Sequence, residues 1–200
     1  MLPKLTQIVI RWSPNPNSTN NGISDLAQSR FPDVCCLNLR LPTLSHDHGT
    51  VLAPLLRMHA CAPWIALTIP QNAILALGAE IKQFPQIYFF SVVPPPALFQ
   101  DGGFPKKLSI TTQLLAMDKL WALFDGLAQS SNSPTSRMDV RITFPPPSRF
   151  SWSNSTSDSE QLMTGHVLSH ACALDAKNIA ILDEDGQSIS SLMAQNSIAP

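Results

Sequence analysis

The sequence predicts a three-layer α/β fold, a mostly parallel sheet with flanking helices. Three observations carry this. Short apolar runs of strand length alternate with runs of helical period along the chain, the pattern that builds parallel sheets. Prolines mark the ends of these runs; there are 18, against 8 glycines. Proline fixes φ and removes a donor, so it punctuates rather than builds. Finally, 200 residues with 44 % hydrophobic content suffice for one real core.

The elements follow in order. Gln7 to Trp12 is a short apolar run, and Ser13 to Gly22 is too polar to bury much. Residues 1–30 therefore read as a flexible N-terminal segment, and residues 31–186 as the single domain. Phe31 to Leu41 suits a strand that Pro42 ends. Val51 to Ala60 has Leu52, Leu55 and Leu56 at helical spacing. Pro54 fits only the first turn, which places the helix start near Leu52 or Ala53. Trp64 to Thr68 is a continuous apolar run, as in strands covered on both faces. Ala73 to Lys82 reads as a second helix. Gln86 to Val93 combines β-branched and aromatic residues and is the strongest strand. Pro94-Pro95-Pro96 closes it.

Residues 97–107 read as a loop. Ser109 to Phe124 reads as the best helix, with Ser109 as N-cap and Gly126 as its stop. Residues 128–159 form a Ser/Pro-rich insertion around one alternating strand, Met138 to Phe144. Glu160 to Leu174 reads as a helix, and Asn178 to Leu182 as a strand. Residues 187–200 read as a flexible tail.

Charge narrows the function classes. Charged residues are 14 %, under the usual quarter or so, and the net charge is −1. A phosphate-backbone binder needs clustered Lys and Arg, and only Lys106-Lys107 adjoin, so nucleic acid is not the expected partner. No run reaches the roughly 18 apolar residues of a membrane span. Met1 to Leu5 lacks the apolar centre of a signal peptide. Cys35, Cys36, Cys61 and Cys172 show no CxxC pair. These features lead us to expect a cytoplasmic protein with reduced thiols.

Each type of chemistry fails on spacing or context. No GxxxxGK[ST] or GxGxxG is present, so the fold lacks a phosphate cradle and no cofactor is expected. Gly102-Gly103 reads as a turn. His166 and His170 share a helix face at i, i+4, near Cys172 and Asp175, with His46 and His48 elsewhere. They are the only metal candidates, and more ligands would be needed. The plainer reading is two surface histidines. Cys35-Cys36 lies in a strand and Cys61 follows His59 in a loop; neither looks like an activated nucleophile. Asp183, Glu184 and Asp185 make a solvated acidic turn. Trp12, Trp64, Trp121 and Trp152 remain; Trp serves both cores and interface anchors.

One segment carries a family resemblance. The run VLAPLLRMHACAPWIALTIPQ, the helix leading to QIYFFSVV, and the helix around LLAMDKLWALFDG resemble the SulA family of bacterial cell-division inhibitors. The resemblance spans about 75 residues and fades before 45 and after 127. It implies a RecA-like fold without the nucleotide site. It also implies a non-enzymatic protein of the DNA-damage (SOS) response that binds FtsZ and blocks its polymerisation. Position by position, Arg57 matches the cation ending the leucine-rich helix, and Trp64 and Leu67 match positions of the following strand. The resemblance implies partner contact there. The chain departs from the pattern at Pro63, where a basic residue is usual, and over Ala73 to Ala79, which lacks the usual tryptophan and charges. A cytoplasmic ATP-dependent protease and a second copy of the chain are further partners to consider. The alternatives are a degenerate RecA-like accessory protein that binds a recombination ATPase, and a metal-dependent enzyme using His166 and His170.

Overall fold

The computed structural model describes residues 7–11, 25, 27–28, 36–113, 116–143, 170–182 and 185–191. Seven parallel strands form one sheet, in the order β1-β2-β3-β4-β5-β6-β7. They are β1 (Gln7–Arg11), β2 (Cys36–Arg40), β3 (Trp64–Thr68), β4 (Gln86–Phe90), β5 (Lys107–Thr111), β6 (Met138–Thr143) and β7 (Ile179–Leu182). The helices are α1 (His46–Met58), α2 (Gln71–Ala76), α3 (Gly78–Ile81), α4 (Met117–Gln129) and α5 over residues 170–175, with a 3-10 turn at Pro96–Phe99. The α/β class and the parallel sheet with flanking helices are as expected.

Register explains the core. Ile8, Leu37, Ile65, Ile87, Leu108, Val140 and Ile181 stand opposite one another across all seven strands. Two residues on, Ile10, Leu39, Leu67, Phe89, Ile110 and Ile142 form a second row. Strand side chains alternate with period two, so both rows lie on one face. They join Leu52, Leu55 and Leu56 of α1, Ile74 of α2, Ile81 of α3 and Leu120, Leu123 and Phe124 of α4 in one cluster. Each fully buried Leu, Ile or Phe contributes about 1.5–3 kcal/mol, so this cluster holds the fold.

Each connection moves one strand over in the same direction. Right-handed crossovers then place the connecting helices on one face, as the cluster shows. The second face is also covered in part: Cys36, Asn38, Ala66, Ala180 and Leu182 are buried there, as three layers require. The order has no reversal among the described strands, and so no topological switch point where α/β sheets bind nucleotides. This order does not by itself carry the finer RecA-like assignment.

Several elements differ from the sequence reading. Residues 107–111 form β5 rather than the start of a helix. Leu108 and Ile110 point into the core while Ser109 and Thr111 face away, a strand alternation. Helix α4 therefore starts at Met117 and runs through Gly126 to Gln129. Gln7–Arg11, placed in a flexible segment, is instead the edge strand β1. Helix α1 starts at His46, capped by Ser45, whose hydroxyl accepts from the His48 N–H at 3.2 Å. Pro54 thus sits inside the helix; it is solvent-exposed, so water reaches the carbonyl left without its donor. The expected helix 73–82 breaks at Leu77 into α2 and α3. The segment read as a tail begins ordered: Ser188 bridges antiparallel to Leu182, and Ile189 is buried. Residues 160–169 of the expected late helix lie outside the described residues, as do Trp12 and Trp152.

Candidate partner-binding surface

Arg57, Trp64 and Leu67 fall in three different environments. Arg57 is in the last turn of α1, exposed. Its Nε donates to Glu80 Oε1 on α3 at 3.0 Å. The Glu80 side chain is only 11 % exposed and the Arg57 side chain 62 %. A carboxylate that far out of water needs a cation beside it, so Arg57 first serves α3. The rest of its guanidinium fork stays at the surface.

Trp64 opens β3 on the second face of the sheet and is half-buried. Its ring meets Tyr88 edge-on at 5.2 Å between centroids. The Tyr88 hydroxyl donates to Gln86 Oε1 at 3.3 Å. Such an edge-on pair adds roughly 0.5–1.5 kcal/mol beyond area burial. Leu67, three residues on, points to the opposite face and is fully buried. The structure therefore does not gather the three. Arg57 and the edge of Trp64 reach solvent; Leu67 is core.

Sequence reasoning missed the separation of charge between the two faces. The described strand positions of the core face carry no charged residue. Those of the second face carry Arg11, Arg40, Lys107 and Arg141 against one carboxylate, Asp139. Asp139 is occupied, accepting from Arg137 Nε at 2.9 Å. The signal was period two: Arg11 and Lys107 lie in β1 and β5, the two strands read otherwise.

The metal candidates resolve differently. His170 Nε2 contacts Asp125 Oδ1 at 2.7 Å, and its ring stacks on Trp121 at 5.6 Å between centroids. His166 lies outside the described residues. Among the described residues no three His, Cys, Asp or Glu side chains are grouped to hold a metal. His46 pairs with its neighbour Asp47 at 3.6 Å. His170 fastens α5 to α4. We expect His170→Ala to lower the unfolding free energy in urea by about 1 kcal/mol, the loss of a part-exposed side-chain hydrogen bond and an aromatic contact. An unchanged midpoint would remove this role.

The fold and this surface define an α/β protein with a singly progressing seven-stranded parallel sheet, apolar on one face, with four exposed cations, Arg11, Arg40, Lys107 and Arg141, on the partly buried other. No protein family, curated protein or solved structure matches the chain. Among the described residues no helix is long and apolar enough to cross a membrane.

Proposed function

We propose that this chain is a partner-binding protein that inhibits bacterial cell division by blocking FtsZ polymerisation in the DNA-damage response. The run at 51–71 that resembles SulA carries the reading. In the fold it forms one unit, α1, a tight turn and β3, near the middle of the sheet. That unit presents the outer guanidinium of Arg57 and the exposed part of Trp64 to solvent. The mode of action is steric, so the partner is held by surface and not by reaction. It is cytoplasmic, where FtsZ acts.

The test is a polymerisation assay. Purified protein at near-stoichiometric ratio suppresses FtsZ light scattering and GTP turnover, and induced expression gives long undivided cells. Trp64→Ala, checked for native circular dichroism, weakens the suppression about tenfold, the usual cost of losing an aromatic anchor. No suppression by the wild-type protein at several-fold excess would sink the reading.

A further inference from the structure

We propose that the second face of the sheet binds a single-stranded polynucleotide, its bases stacked on Trp64, Tyr88 and Phe90 and its phosphates held by Arg40, Lys107 and Arg141. This goes beyond the inhibitor reading and does not depend on it. Aromatic side chains are normally core residues, each burying about 150–250 Å². These three are placed otherwise. All are half-buried, and none belongs to the hydrophobic cluster or to the partly buried residues packed on it. The cluster that α1 to α4 build with the sheet lies on the opposite face. Register brings the three rings together. Trp64 meets Tyr88 edge-on at 5.2 Å between centroids. Phe90 follows Tyr88 on β4 with the same parity, about 6.6 Å along the strand. Successive bases of an extended strand can therefore reach neighbouring rings.

Cations flank the rings on both sides, and they are the independent observation. Lys107 is the register partner of Gln86, one pleat before Tyr88 on β4. Arg141 pairs with Ser109, and Ser109 with Tyr88. On the other side Arg40 pairs with Thr68 of β3, the strand that carries Trp64. Strands β2 and β6 each lie two spacings from β4, about 10 Å. Arg11 extends the row beyond Arg40. All four cations are exposed, and among the described residues no carboxylate pairs with any of them. Rings and cations together select the occupant. An acidic peptide uses the cations and leaves the rings without a partner. A lipid surface takes up exposed aliphatic side chains, and among the described strand residues Val9 is the one large exposed example. A duplex keeps its bases stacked inside. A single strand offers a π-face and a phosphate at every nucleotide, the two groups this face is built to meet. The expectation against nucleic acid counted charge over the whole chain, net −1. The face itself carries four cations against Asp139, which Arg137 already holds.

The experiment follows the fluorescence anisotropy of a labelled oligothymidylate titrated with the full chain. Unlabelled oligothymidylate, oligouridylate, a blunt duplex, hexaglutamate and phosphatidylglycerol vesicles serve as competitors. We expect saturable binding with a log–log salt slope of about −3, the value for about four phosphate contacts on a single strand. Arg40→Gln and Lys107→Gln, both at exposed positions, each reduce the slope by about 0.7. Tyr88→Ala, checked for native circular dichroism, weakens binding about tenfold, the scale of one lost base–aromatic stack, and leaves the slope unchanged. Trp64→Phe keeps a ring and binds as wild type, whereas Trp64→Leu keeps apolar bulk and weakens binding about tenfold. Whichever of oligothymidylate and oligouridylate competes better identifies DNA or RNA as the strand. Absence of saturable binding overturns the proposal. So does a duplex, hexaglutamate or vesicle preparation that competes as well as unlabelled oligothymidylate. A slope that neither glutamine variant changes overturns it too, and that readout stands even if an aromatic variant fails to fold.

Discussion

Leu67→Ala should cost about 2–5 kcal/mol of unfolding free energy, the range for a buried leucine emptied to a methyl group. Leu67 sits in the second core row between Leu39 of β2 and Phe89 of β4, all three fully buried. Truncation leaves a cavity in a face that α1 and α2 cover. A domain of this size is stable by about 5–15 kcal/mol, so the loss is a large share. The expected signature is a lower denaturant midpoint at unchanged slope. Activity against the partner should then fall only with the folded fraction. A stable, fully folded Leu67→Ala protein that no longer binds would reverse this, and make Leu67 a contact residue after all.

The contrast with Trp64 shows how much a strand's parity decides. Both residues belong to the same resembling motif, yet they are an odd number of residues apart. On a strand that places them on opposite faces. The motif identifies a unit of fold; parity and burial assign the roles within it.

The strands with dense apolar content were legible from sequence: β3 and β4 have their expected centres, and β2, β6 and β7 fall inside their predicted runs. In all of these but β2, CLNLR, β-branched or aromatic residues make up half of the strand or more. β5 was missed for a physical reason. KLSIT has only two core residues, and a serine followed by a long helical-period run looks like a cap. β1 was discounted because the polar stretch after it drew the whole N-terminus into one class. A parallel edge strand needs only one partner, so five residues suffice. Pro54 misplaced the start of α1, because the helix keeps this proline in its interior, where the carbonyl of Thr50 that loses its donor lies on the exposed side.

The candidate surface was less legible. Arg57 was found, but its buried partner Glu80 was not, since a pairing 23 residues apart has no local signal. The cations of the second face lie on four strands, β1, β2, β5 and β6, and share a face only once those strands are in register. Arg11 and Arg40 are 29 positions apart in the chain and become neighbours only through a parallel crossover. Composition hid the feature as well, because acidic residues on the helices and loops bring the total close to neutral.

Gly126→Ala should destabilise by about 1–3 kcal/mol, the scale of forcing an extra carbon into a packed contact. The sign is the informative part. In the interior of an exposed helix the same change gains up to about 1 kcal/mol, since glycine is the poorer helix former. Gly126 lies inside α4. A Cβ there would stand 2.3 Å from Pro96 Cβ and 3.2 Å from its Cγ. Pro96 opens the 3-10 turn that follows β4, and its ring has no rotamer with which to withdraw. Helix α4 must therefore slide off the turn, loosening the seat of Leu98 and Phe99, both buried. Gly78 provides the control. Its Cβ would meet only Leu98 Cδ1 at 3.2 Å, the end of a side chain that can turn aside. Gly78→Ala should leave stability within about 0.5 kcal/mol of wild type, the usual span for an accommodated change. Thermal or urea unfolding of the two variants side by side reads the difference. A stabilised Gly126→Ala protein would mean that the turn and α4 are not in contact, and that the carboxyl end of β4 is held by something other than this packing.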